Sequence, residues 1–103
     1  MSEAQEMIQQ LQALEQSMQS YTLQKQNVQA QILEAESALA ELEKSDEAFR
    51  IVGNIMVKAK KDVLVKELQE KAESLRTRLS TIEKQEERLK KEVKQLQKEL
   101  GDA

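Results

Sequence analysis

Apolar residues recur along most of this chain at alternating steps of four and three, and few folds accept that spacing. The first series runs Met7, Leu11, Leu14, Met18, Tyr21, Lys25, Val28, Ile32, Ala35, Leu39 and Leu42, broken by Lys25 alone. The second runs Val65, Leu68, Ala72, Leu75, Leu79, Ile82, Glu86, Leu89, Val93, Leu96 and Leu100, broken by Glu86 alone. Thus 20 of 22 positions are apolar, where a hydrophobic content of 39% predicts about nine. A 3.5-residue repeat held for about five heptads per block is a coiled-coil signature. A globular core would need more than one Tyr and one Phe, because aromatic rings usually dominate buried area.

Ser2 with Gln5 forms a plausible capping box for a first helix over about 3–44. Asp62 is a natural N-cap for a second helix over about 62–100, and Gly101 a natural stop. Each helix is then about 60 Å long. Between them, Phe49-Arg50-Ile51-Val52 and Ile55-Met56-Val57-Lys58 flank Gly53-Asn54. Bulky and β-branched runs around such a pair predict a β-hairpin over about 48–60 with a two-residue turn. A plain helix–helix loop is the alternative. A turn between residues 53 and 54 pairs Val52 with Ile55 and Ile51 with Met56. Carried outward, it sets Leu42 against Val65, Met18 against Leu89 and Leu11 against Leu96. The expected fold is mainly α: one domain over residues 1–103, a long antiparallel coiled-coil hairpin with one central β-hairpin.

The two exceptions fall in adjacent layers, so Lys25 and Glu86 are close enough to pair across the seam. The commoner outcome on a thin rod is that both side chains snorkel to solvent.

The ribbon is apolar on both faces, with Ala48, Val52, Ile55, Val57 and Ala59 on one and Phe49, Ile51 and Met56 on the other. Two helices cannot cover both, and a lone two-stranded ribbon is marginal in water. Several chains joining their hairpins into a barrel would leave fewer open edges. The predicted assembly residues are therefore Phe49, Ile51, Val52, Gly53, Asn54, Ile55, Met56 and Val57. Off-seam Ala38, Ala40, Val63 and Leu64 cluster nearby and suit a neighbouring subunit. At the opposite end lies a predicted tip of Met1, Ala4, Met7, Ile8, Leu11, Val93, Leu96 and Leu100. Frayed helix ends and adaptable Met side chains there could bind extended apolar segments. Read from the residues alone, frayed ends that bind nothing are the more ordinary outcome.

With 16 basic and 19 acidic residues the net charge is −3, which offers no general attraction to nucleic acid or anionic membrane. Cys and His are absent, removing thiolate and imidazole nucleophiles, bases and metal ligands. The two Gly residues lie far apart, so no Gly-rich phosphate loop exists. Neither catalysis nor a cofactor nor a metal site is expected. No stretch reaches the roughly 20 apolar residues of a membrane span. The start, Met1-Ser2-Glu3-Ala4-Gln5-Glu6, is unlike a signal peptide. A cytoplasmic protein is expected.

Phe49 to Lys58, leading into Asp62 and Glu67-Leu68-Gln69-Glu70-Lys71, resembles the beta-type subunit of archaeal prefoldin. Gln24-Lys25-Gln26 and Ile82 to Arg88 are similar to that family's two helices. The resemblance spans nearly the whole chain and implies an ATP-independent chaperone, a holdase. It implies a hexamer of two alpha and four beta subunits whose hairpins form a double β-barrel. It also implies that the tips bind non-native polypeptides and pass them to a group II chaperonin. A structural tether or adaptor would share the heptads but would not need a ribbon with two apolar faces. A dimeric nucleic-acid binder would need a basic block beside its zipper, and Glu92 and Glu99 interrupt the run from Arg88 to Lys98.

Overall fold

Ser2 opens the first helix by a reciprocal exchange. Its backbone N–H donates to Gln5 Oε1 at 3.0 Å, and the Gln5 N–H donates to Ser2 Oγ at 3.2 Å. Two of the helix's orphan donors are satisfied in this way. The computed structural model describes residues 2–102, so Met1 of the predicted tip lies outside the described residues. The elements are α1 (Glu3–Glu43), β1 (Ala48–Val52), β2 (Ile55–Ala59) and α2 (Lys61–Asp102).

The chain divides into two units, both traversed by α1 and α2. One comprises residues 28–78 and contains the β-hairpin; the other comprises residues 1–27 and 79–103. In the hairpin unit the buried side chains are Val28, Ala35, Ala48, Ala72 and Leu75. In the other they are Ile82, Leu89, Leu96 and Glu86. All 22 positions of the two heptad series are buried or half-buried. The 3.5-residue spacing holds one stripe of each helix against its partner, as a coiled-coil seam requires.

The strands pair antiparallel, with Val52 opposite Ile55, Ile51 opposite Met56 and Phe49 opposite Lys58. Gly53 has φ +61°, and among the described residues no other type has positive φ. Glycine in that region at the first central position, followed by a residue at negative φ, is the II′ turn, whose twist suits a tight hairpin. Leaving α1, the Lys44 N–H donates to the Glu41 carbonyl and the Ser45 N–H to that of Leu42. Ser45 Oγ then accepts from the Glu47 N–H and donates to the Glu47 carbonyl, turning the chain into β1.

Two helix signals differ from expectation. Asp62 is not the N-cap: α2 starts at Lys61, and the Leu64 N–H donates to the Lys60 carbonyl at 3.2 Å. Asp62 instead sits within the first turn, where a carboxylate favours the positive end of the helix dipole. Gly101 does not stop α2, which continues to Asp102. A glycine costs a helix only about 1 kcal/mol, too little to end one by itself.

Candidate functional site: an apolar hairpin and the helix ends

The hairpin presents its apolar side chains to solvent. Phe49, Ile51, Val52, Ile55, Met56 and Val57 are all exposed, Ile51 by 72% and Met56 by 66%. Isolated apolar residues on a surface are ordinary, but six on one ribbon, three on each face, leave both faces apolar in the way that marks a contact surface. Ala48 at the start of β1 is the buried exception. Arg50 lies on the same face as Val52 and Val57, and its guanidinium reaches both Glu67 carboxylate oxygens at 2.8 and 2.9 Å. This pair fastens β1 to α2. A second bridge in the unit, Arg76 to Glu36 at 2.7 Å, links the two helices. Both pairs are about half exposed, and such pairs contribute roughly 0.2–1 kcal/mol each.

Between ribbon and helices lies an open groove of about 860 Å³. It brings Ala38 and Leu64 of the off-seam cluster together with Leu42, Phe49, Ile51 and Met56. Ala40 and Val63 do not line it; both are exposed.

The predicted tip residues fall in the other unit. Ala4 and Ile8 are exposed, Met7, Leu11, Val93 and Leu100 are half-buried, and Leu96 is buried at 8% exposure. Leu96 nevertheless forms part of the floor of an open groove of about 720 Å³, with Ala13, Leu14 and Ser17 from α1 and Gln95 from α2. Sequence reasoning did not select Ala13, Leu14 or Ser17 for this site. The signal was available for Ala13 and Leu14, which stand across the fold-back register from Lys94 and Val93, whereas Ser17 stands opposite Lys90, outside that stretch.

Lys25 and Glu86 do not both snorkel. Glu86 is buried at 8% exposure, with its Oε1 3.3 Å from Lys25 Nζ and its Oε2 accepting from Thr22 Oγ1 at 3.4 Å. Lys25 stays about one-third exposed, so its ammonium keeps part of its hydration. A carboxylate that loses water in a seam needs a charged partner and a further donor. Lys25 and Thr22 supply them.

Among the described residues no group of three or more acidic side chains could hold a metal ion. No helix among them is long and apolar enough to cross a membrane.

Residues 5–103 match the sequence profile of the Prefoldin_2 family, prefoldin subunit. The chain is 39% identical to prefoldin subunit beta of Archaeoglobus fulgidus, over 95% of this chain and 87% of that one. It is 40% identical to the beta subunit of Methanococcoides burtonii, over 98% of this chain and 89% of that one. This chain belongs to the prefoldin subunit family. Family membership makes it a chaperone subunit of the beta type, one that assembles with other prefoldin subunits. The crystal structure of the prefoldin beta subunit from Thermococcus strain KS-1 superposes with a TM-score of 0.91 at 36% identity. That match covers 99% of this chain and 92% of the other. The prefoldin fold, two long helices around one antiparallel β-hairpin, is therefore the fold of this chain.

Proposed function

We propose that this prefoldin subunit is an ATP-independent holdase that works as part of a hexamer of two alpha-type and four beta-type subunits. The observation that carries the reading is the exposed apolar ribbon from Phe49 to Val57. A ribbon with both faces and both edges open has its backbone and side chains satisfied when neighbouring hairpins extend it into a closed barrel. In the assembly, the helix ends bearing Ala4, Met7, Ile8, Leu11, Val93, Leu96 and Leu100, with Met1, contact non-native polypeptides. Half-buried Met7 and exposed Ile8 support this role, because flexible and accessible apolar groups adapt to varied partners.

Each contact is weak. Several arms on one body hold one client by avidity, since every contact after the first is intramolecular. No nucleotide chemistry drives release, so a competing partner must take the client over. A group II chaperonin in the same cytoplasm fills that role. The test combines assembly and activity. Trimming residues 1–9 and 97–103 is expected to leave the six-chain complex intact while abolishing suppression of aggregation of a denatured client. Full suppression by the trimmed complex would remove the helix ends from the mechanism.

A further inference from the structure

Lys25 and Glu86 form a polar layer in the seam of the 1–27 and 79–103 unit, and the seam is not packed alike on its two sides. Toward the chain ends, Met7, Leu11, Leu14, Met18 and Tyr21 of α1 are all half-buried, and none of them is buried. An open groove beside Ala13, Leu14 and Leu96 leaves that stretch uncovered along one flank. On the other side of the layer, Ile82 is buried. In the hairpin unit, Val28 and Ala35 of α1 are buried as well.

The layer itself is poorly satisfied. Glu86 is buried with two long contacts, 3.3 Å to Lys25 Nζ and 3.4 Å from Thr22 Oγ1. Next to it in the chain, Gln85 Oε1 is buried and has no hydrogen-bond partner among the described residues. A shielded amide oxygen without a donor costs free energy that water restores. A buried carboxylate likewise regains hydration on exposure, which offsets much of the lost attraction to Lys25. All remaining positions of the two heptad series are apolar, and exposing any of them is unfavourable.

Opening the helix pair from the chain ends therefore meets an uneven resistance. Each apolar layer, from Leu11 and Leu96 to Met18 and Leu89, is an uphill step. Opening through Lys25 and Glu86 returns part of that cost, because the carboxylate and the Gln85 oxygen are rehydrated. Going past Ile82 is uphill again. Proteins open locally in contiguous cooperative units, and a layer that gains on hydration supplies the boundary of one. We propose that the Lys25–Glu86 layer is a breakpoint built into the seam. Residues of α1 up to Lys25 and of α2 from Gln85 onward separate together, in one step that stops at Ile82. The terminal stretch then has two states, closed and open, in place of a continuum of fraying. This device belongs to the chain's own opening and holds whatever the helix ends contact.

Amide hydrogen exchange on the full chain, assembled with its alpha-type partner and read residue by residue, tests this. Beyond the frayed end turns, amides from Leu14 to Lys25 and from Gln85 to Val93 are expected to share one protection level. Protection should then rise by about tenfold on passing to Ile82 in α2 and to Val28 in α1, whose burial resists opening. Lys25→Leu with Glu86→Leu makes the layer apolar and should raise protection of the terminal amides about tenfold, turning the shared level into a gradual rise. Gln85→Leu keeps the ion pair and removes the unpartnered oxygen, and should raise their protection about fivefold. A smooth rise from the chain ends to the hairpin in the unsubstituted complex overturns the inference. A shared level that persists unchanged in both variants overturns it too, because its boundary would then owe nothing to this layer.

Discussion

Glu86 is the residue whose placement is hardest on the fold, because a carboxylate in an apolar seam opposes folding unless it is answered. Lys25 and Thr22 answer it from the facing helix. Lys25→Ala is expected to lower stability by about 1–3 kcal/mol, since Glu86 is left buried with one long hydrogen bond. A denaturant-unfolding midpoint measures this. Replacing both charges, Lys25→Leu with Glu86→Leu, should instead raise stability by roughly 1–2 kcal/mol. It should also weaken the register, because a heptad shift would no longer strand a charge against leucine. A second set of backbone amide resonances would report the slipped form. Gly53 makes a different demand. No atom lies within 4 Å of a Cβ built there, yet its φ is +61°. Gly53→Val should therefore cost about 1–2 kcal/mol through backbone strain and not through a clash.

Among the elements, the hairpin was the most legible. The Gly-Asn pair between β-branched runs specifies a two-residue turn, and that turn fixes the strand register, with Val52 opposite Ile55 and Ile51 opposite Met56. The seam was legible as well, because every position of the two heptad series lost solvent on folding. The ends of α2 were not. A helix can begin on a backbone carbonyl such as that of Lys60 with no capping side chain, and a terminal turn tolerates glycine. The buried state of Glu86 was hidden for a related reason. It depends on Thr22, which lies off the seam and carries no apolar signal. The tip residues were identifiable as apolar groups near the helix ends, but periodicity does not say which stay covered. Leu96 does and Ile8 does not. At this scale Arg50→Ala should cost at most about 1 kcal/mol in stability, because Glu67 remains solvated on its own.

For the whole molecule, the governing fact is apolar surface that one chain does not cover by itself. Net charge is small and spread over both signs, so the proposed assembly draws on burial of the hairpin more than on electrostatic attraction. The account makes the chain a part and not a complete machine. On the proposed function, the helix ends contact the client, while the ribbon supplies the multiplicity that weak contacts require. Native mass measurement with and without an alpha-type partner tests this most directly, comparing the unsubstituted chain with Ile51→Asp plus Met56→Asp. The account predicts a six-chain complex from the unsubstituted chain with its partner, and none from the doubly substituted chain although its helices remain folded. A six-chain complex that forms equally well with both aspartates in place would contradict it.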